Sequence, residues 1–113
     1  MNNANQLPIT SEILNAACAA LAAKRACKEA CAADLAASQA WARRELDLAA
    51  AGQAYTAAKA AKGKATKAER ALEKITQAAV LAAHPELSAD RVKVLSLAIK
   101  LEIAATALAV LEA

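Results

Sequence analysis

Hydrophobic residues recur at steps of three and four from about residue 11 to the end of the chain. This period matches the turn of an α-helix, whereas a half-buried strand would show strict alternation. The pattern predicts an all-α fold, an alanine-rich helical hairpin or three-helix bundle with coiled-coil-like packing. We expect a flexible N-terminal arm over 1–10 and a single helical domain over 11–113, with helices over about 11–62, 67–83 and 89–112.

Capping residues predict the ends of these helices. Thr10 or Ser11 can cap the first helix, and Ser88 can cap the third. The second helix is expected to end before His84-Pro85, because a residue that precedes proline avoids the helical conformation. His84 would then lie where it can meet the unpaired carbonyls of a helix end.

The predicted position of the main turn depends on two glycines. Gly63 suits the left-handed residue just beyond a helix, and Thr66 with Glu69 matches a capping box for the helix that follows. If the chain turned at Gly52 instead, the first helix would be shorter and a compact monomer easier to form. We place the turn at Gly63 and treat Gly52 as a candidate kink.

The predicted first helix has alanine at eight successive seam positions of one heptad register. Alanine at every seam position requires two helix backbones to approach closely, because no larger side chain bridges the gap. We interpret this set as the first part of a self-association seam. Its members are Ala16, Ala19, Ala23, Ala26, Ala30, Ala33, Ala37 and Ala40.

The predicted third helix is apolar over much of its circumference, as expected for a helix that is central in a bundle or buried between subunits. One of its stripes forms the second part of the self-association seam: Val94, Leu97, Leu101, Leu108 and Leu111. A second apolar stripe consists of Val92, Leu95, Ile99 and Ile103. A polar stripe, expected to face water, consists of Lys93, Ser96 and Lys100.

Composition favours association between copies. Alanine accounts for 37 of the 113 residues, so each core side chain buries little apolar area. Such a core gains stability from close helix packing or from a second chain, and we favour a homodimer. Lys93, Lys100 and Glu102 interrupt the C-terminal apolar run, so we expect no membrane span.

Few side chains in the sequence suit catalysis. His84 is the single histidine, and the sequence has no zinc-protease motif and no phosphate-binding loop. Cys27 and Cys31 lie one helical turn apart, but two thiolates do not complete a zinc site. Three cysteines without a disulfide framework indicate reduced thiols and a cytoplasmic location. We expect no enzymatic activity, no cofactor and no bound metal.

Positive charge is concentrated in one segment. Residues 59–74 hold six cations and two acidic residues, a net charge of +4, whereas the whole chain carries +3. A basic patch of this kind can bind phosphates or an acidic protein surface. The candidate patch consists of Lys59, Lys62, Lys64, Lys67, Arg70 and Lys74.

These features favour a small non-catalytic interaction protein that self-associates and binds or occludes a protein partner. Adaptors, inhibitors and accessory proteins of bacterial or phage type act in this way. One alternative is a protein that binds the phosphate backbone of nucleic acid through residues 59–74. Another is a redox switch in which Cys18 or Cys27 joins two chains.

Overall fold

A computed structural model describes residues 7–113. In this range the chain forms three α-helices and no strand: α1 (Ser11–Ala42), α2 (Leu48–Ala83) and α3 (Ala89–Glu112). The predicted all-α class is confirmed. Residues 1–6 of the expected N-terminal arm lie outside the described residues. In the rest of that segment, Leu7 packs against the core and Thr10 caps α1 by accepting a hydrogen bond from the Ile13 amide at 3.2 Å.

The first two helices form a long antiparallel hairpin. At 1.5 Å per residue, α1 is about 48 Å and α2 about 54 Å long. The third helix, α3, runs parallel to α1, and its last turn meets α1 where Glu112 pairs with Arg25 at 3.1 Å. The hairpin beyond that level has no third helix beside it. The molecule is accordingly elongated, measuring 66 × 31 × 16 Å.

The main turn lies at residues 43–47, so the predicted end of the first helix at residue 62 and the predicted start of the second at residue 67 are wrong. Gly52 and Gly63 both lie inside α2, and neither marks a turn. A Cβ atom added at either glycine would meet no atom within 4 Å, so neither position requires a glycine. The chain continues as a helix through both because the surrounding residues, largely alanine and lysine, favour helix.

Backbone hydrogen bonds at the tip explain why the hairpin turns there. The Glu45 amide donates to the Ala40 carbonyl at 2.8 Å, and the Arg44 amide donates to the Trp41 carbonyl at 2.9 Å. These two bonds form a Schellman motif, with Arg44 in the left-handed conformation at φ 61°. Asp47 then caps α2, since its carboxylate accepts a hydrogen bond from the Ala50 amide at 2.8 Å.

The large core side chains are all at the base of the molecule, where the three helices meet. Ile13, Val80 and Ile99 are fully buried there, one from each helix. Thr76 is also fully buried, and its hydroxyl donates to the carbonyls of Leu72 and Glu73. Beyond the base, the hairpin is closed by alanine.

In the upper hairpin, α2 presents its own alanine stripe to α1. The stripe follows steps of three and four, and all its members are buried or half-buried. It continues into Leu72 and Ile75 of the core. Its members are Ala51, Ala54, Ala58, Ala61, Ala65 and Ala68.

Candidate interaction surfaces

The alanine seam predicted in α1 lies at the edge of the contact between α1 and α2. Five of its eight members are half-buried: Ala16, Ala23, Ala30, Ala37 and Ala40. The other three, Ala19, Ala26 and Ala33, are exposed. Helix α2 of the same chain therefore covers one side of this seam, and the methyl groups of Ala19, Ala26 and Ala33 form a narrow exposed row on the other side.

The α3 part of the predicted seam faces outward. The exposed fractions are 65% for Val94, 56% for Leu97, 71% for Leu101 and 40% for Leu108, and Leu111 is half-buried. These side chains form one stripe along the helix at a spacing of 3.5 residues, and we call it the outer face of α3. No element of the described chain covers it.

The inner face of α3 is more polar than expected. The second apolar stripe packs on the hairpin, with Val92, Ile99 and Ile103 buried and Leu95 half-buried. Ser96, predicted to face water, is buried among them because its hydroxyl donates to the Val92 carbonyl at 2.7 Å and so needs no solvent. That part of the predicted polar stripe is wrong.

Lys100, also expected in the polar stripe, joins an ion-pair cluster between the three helices. Its ammonium group lies 3.3 Å from Glu69 and 3.9 Å from Glu73 of α2, and Lys24 of α1 lies 3.1 Å from Glu69. Desolvation alone would raise the pKa of Glu69, but hydrogen bonds and charge attraction from Lys24 and Lys100 outweigh it and lower the pKa. Lys93 is exposed.

A groove of about 230 Å³ runs between the outer face of α3 and the hairpin. It is predominantly apolar, and the Lys24–Glu69–Lys100 pairs form its polar part. Its walls come from all three helices, with Leu21 of α1, Leu72 of α2, and Leu97 and Leu101 of α3 among the lining residues. The outer face is thus bordered by a recess that can accept an apolar side chain.

The predicted basic patch, which was expected to span the turn at Gly63, lies along one continuous helix. All six of its cations are exposed, and none has a carboxylate within 4.0 Å among the described residues. The two acidic residues of the segment, Glu69 and Glu73, point instead toward Lys24 and Lys100. At 100° per residue, Lys62 and Lys64 lie on the two flanks of α2 beside α1, and four cations share the side opposite α1: Lys59, Lys67, Arg70 and Lys74.

The hairpin tip carries a concave surface that sequence reasoning did not identify. Trp41, Arg44 and Asp47 are among the residues that line a shallow depression of about 520 Å³, and Trp41 is about half exposed. Asp47 was the sequence signal for this turn, because it is a good helix cap three residues after Arg44. The two glycines instead led to a predicted turn at a position that lies inside α2.

The three cysteines are all half-buried and free. The Cys27 and Cys31 sulfur atoms lie 4.0 Å apart. Desolvation raises the pKa of Cys27, the Cys31 thiol raises it further, and Lys62 opposes both. A raised pKa lowers the thiolate fraction of Cys27 and therefore its reactivity, which argues against Cys27 as the residue that joins two chains in the redox-switch alternative.

His84 occupies the C-cap of α2, close to where the sequence placed it. Its backbone amide donates to the Val80 carbonyl at 2.8 Å, and its Nδ1 atom lies 3.6 Å from a Glu86 carboxylate oxygen. Among residues 7–113, no three His, Cys, Asp or Glu side chains are close enough together to hold a metal ion.

One helix in the described part of the chain, α3, is long and apolar enough to cross a membrane. In its most hydrophobic window, 22% of the residues are buried within the molecule. The buried share is low because the outer face of α3 is exposed. The core helix of a soluble protein can also satisfy the length and composition test.

No known protein family, curated protein or solved structure matches this chain.

Proposed function

We propose that this chain is a small non-catalytic interaction protein that self-associates through the outer face of α3 and binds or occludes a protein partner. The observation that carries the proposal is the exposure of Val94, Leu97, Leu101 and Leu108 in one uninterrupted stripe. Burial of apolar surface contributes roughly 25 cal/mol per Å², so covering this stripe would stabilise the molecule. Contiguous apolar patches on soluble proteins commonly mark interaction sites.

The structure of the hairpin supports α3 over α1 as the associating element. Most of the α1 alanine seam already lies beside α2, and exposed Ala19, Ala26 and Ala33 offer only methyl groups. Leucine buries more apolar area than alanine, so a second chain gains more free energy on α3. We therefore restrict the proposed self-association surface to the outer face of α3.

We further propose the hairpin tip as the part that contacts a protein partner. Trp41 is exposed beside Arg43 and Arg44, at the end farthest from the three-helix base. Tryptophan and arginine are enriched among the residues that contribute most to protein interfaces. The three half-buried free thiols support a reducing, cytoplasmic location for this activity.

The test of self-association is the Leu101→Asp variant, studied by sedimentation over a range of concentrations. Leu101 is exposed, so the chain should still fold, and α3 should keep its helicity. A dimer would bury two copies of the side chain, and their replacement should weaken association by at least about 100-fold. The matched control is Leu35→Asp in α1, where the leucine is 61% exposed but lies away from α3. Equal association of both variants would contradict the proposal.

A second candidate function is supported by the basic patch. Four cations lie along about 23 Å of one helix side, at 1.5 Å per residue, and their neighbouring acidic residues are engaged elsewhere. This spacing suits contact with successive phosphates of a nucleic acid. Because Trp41 and Tyr55 lie outside the patch, base stacking contributes nothing there.

Salt dependence tests this second candidate. Contact with about four phosphates of duplex DNA predicts a log–log slope of affinity against salt near −3.6. The double variant Lys67→Glu/Lys74→Glu should abolish binding, whereas Lys28→Glu on α1 should leave most of it. Affinity that does not change with salt would eliminate this function.

A further inference from the structure

We propose that two copies of the chain pair through the outer faces of α3 in antiparallel orientation, with Leu101 of each copy at the two-fold axis. This inference rests on the proposed function, because it specifies the partner on that surface and its orientation. The occupant is a second copy of the same chain. Three properties of α3 support it: the order of large and small side chains, the distribution of charge, and the polarity of the stripe.

The spacing of side chains on the outer face is symmetric about Leu101. Val94 and Leu108 each lie seven residues from Leu101, so an antiparallel pair places Val94 against Leu108 of the partner at both ends. Leu97 lies four residues before Leu101, and Ala105 lies four residues after it. Each Leu97 therefore meets a small residue of the partner, and the two surfaces interlock. A parallel pair would instead set Leu97 against Leu97 and Ala105 against Ala105.

Charges at the ends of α3 favour the same orientation. Asp90, Arg91 and Lys93 lie in the first turns of the helix with a net charge of +1, whereas Glu112 lies in the last turn. An antiparallel pair about Leu101 brings Glu112 of one copy to the level of Asp90 and Arg91 of the other, and Arg25, which pairs with Glu112 at 3.1 Å, also reaches the level of that Asp90. A parallel pair would place like charges together, which is unfavourable. Helix dipoles also oppose each other in the antiparallel pair.

The middle of the stripe is free of charge because Lys100 turns away from it. The Lys100 ammonium group is held by Glu69 and Glu73 on the hairpin side of α3. From Val94 to Leu108, the outer face therefore presents only apolar side chains to a partner. In the pair, each copy can insert an apolar side chain into the groove lined by Leu21 and Leu72 of the other.

This pairing determines where the hairpins point. Each α3 runs toward the tip of its own hairpin, so antiparallel α3 helices direct the two hairpins away from each other. The assembly would be a central body of six helices with one tip at each end. Both Trp41 side chains would remain exposed, and one dimer could engage two partner molecules.

Disulfide trapping tests the orientation. A background chain lacks Cys18, Cys27 and Cys31, each replaced by alanine, and first has to show the helicity and the dimer mass of the original chain. Leu101→Cys should then cross-link to itself on mild oxidation, because the two-fold axis brings the two thiols together. Val94→Cys and Leu108→Cys should each stay uncross-linked alone but form heterodimers when mixed. Leu35→Cys is the control for random collision.

Each other outcome would contradict the inference in a distinct way. Self-cross-linking of Val94→Cys as efficient as that of Leu101→Cys would establish a parallel pair. A dimer with no cross-link at any of the three positions would place the interface elsewhere. A chain that stays monomeric would overturn the proposed self-association itself. Binding of that monomer to phosphatidylcholine vesicles would identify lipid as the occupant of the outer face.

Discussion

Gly63 and Gly52 occupy interior positions of α2, where glycine is less favourable than alanine by about 1 kcal/mol. An alanine at residue 63 would meet no atom within 4 Å. The Gly63→Ala variant should therefore raise the free energy of unfolding by about 1 kcal/mol, measured by urea denaturation. Gly52→Ala should have a similar effect. A loss of stability in either variant would show that a turn, and not a helix, is present at that residue.

At residue 44, in contrast to residues 52 and 63, glycine would be more favourable than the residue present. The φ of Arg44 is 61°, a left-handed conformation that glycine adopts at little cost. Arg44→Gly should raise the free energy of unfolding by about 0.5 kcal/mol, after the larger conformational freedom of glycine in the unfolded chain is allowed for. The neighbouring Arg43, with φ at −85°, is the matched control. Arg43→Gly should destabilise the chain, and the same response from both variants would count against this hairpin tip.

Glu69 links stability to pH. Its pKa is lowered in the folded chain, so its contribution to stability is present above its ordinary value of 4.5 and is lost as the pH falls through the lower folded value. We expect Glu69→Gln to be less stable than the original chain at pH 7, with a difference that shrinks below about pH 4.5. Thermal unfolding across this range measures it. A difference independent of pH would mean that the carboxylate has no net interaction with Lys24 and Lys100.

At the scale of elements, the hairpin depends on the closeness of α1 and α2. Ala58 is 3% exposed, in the part of the hairpin that α3 does not reach. A leucine at this position would force the helices apart, and Ala58→Leu should destabilise the chain by about 1–3 kcal/mol. Ala60→Leu is the control, because Ala60 is exposed on the same helix. If both variants were equally stable in chemical denaturation, the helices would not be in close contact there.

Helix content could be predicted from the sequence, but the first turn could not. Thr10, His84 and Ser88 lie at helix ends as their side chains and the proline predict. Gly63 was misleading because a strong helix former on both sides outweighs one unfavourable residue. The true tip uses Arg44 where glycine is usual, and two backbone hydrogen bonds at the turn, together with the bond that the Asp47 carboxylate accepts, compensate for it. The use of arginine in place of glycine at this turn is visible only in the tertiary structure.

The faces of α3 show a second limit of sequence reasoning. The sequence identified both apolar stripes, yet hydrophobicity alone could not decide which one packs inside. Ser96 and Lys100 do not prevent the observed packing, because the serine bonds to its own backbone and the lysine reaches Glu69. Both polar residues can therefore share a side with Ile99. The α2 alanine stripe could have been found from the same three-and-four spacing that revealed the seam in α1.

At the scale of the whole molecule, the large core is confined to one end and the exposed apolar stripe lies on the same end. Three helices bury Ile13, Val80 and Ile99 there, while the rest of the hairpin relies on alanine. A second chain on the outer face of α3 would enlarge this core and leave the tip and the basic patch free. In this arrangement the outer face of α3 joins the two copies, and the hairpin tip and the basic patch remain available to bind partners.

The most direct test of this account is the absolute mass of the reduced chain in solution, measured by light scattering behind a sizing column at low and high salt. The chain mass is 11.6 kDa, so a dimer has a mass of about 23 kDa. We predict the dimer mass at both salt concentrations, because apolar burial is not weakened by salt as charge attraction is. A mass near 11.6 kDa at both salts, at protein concentrations of tens of micromolar, would contradict the central claim.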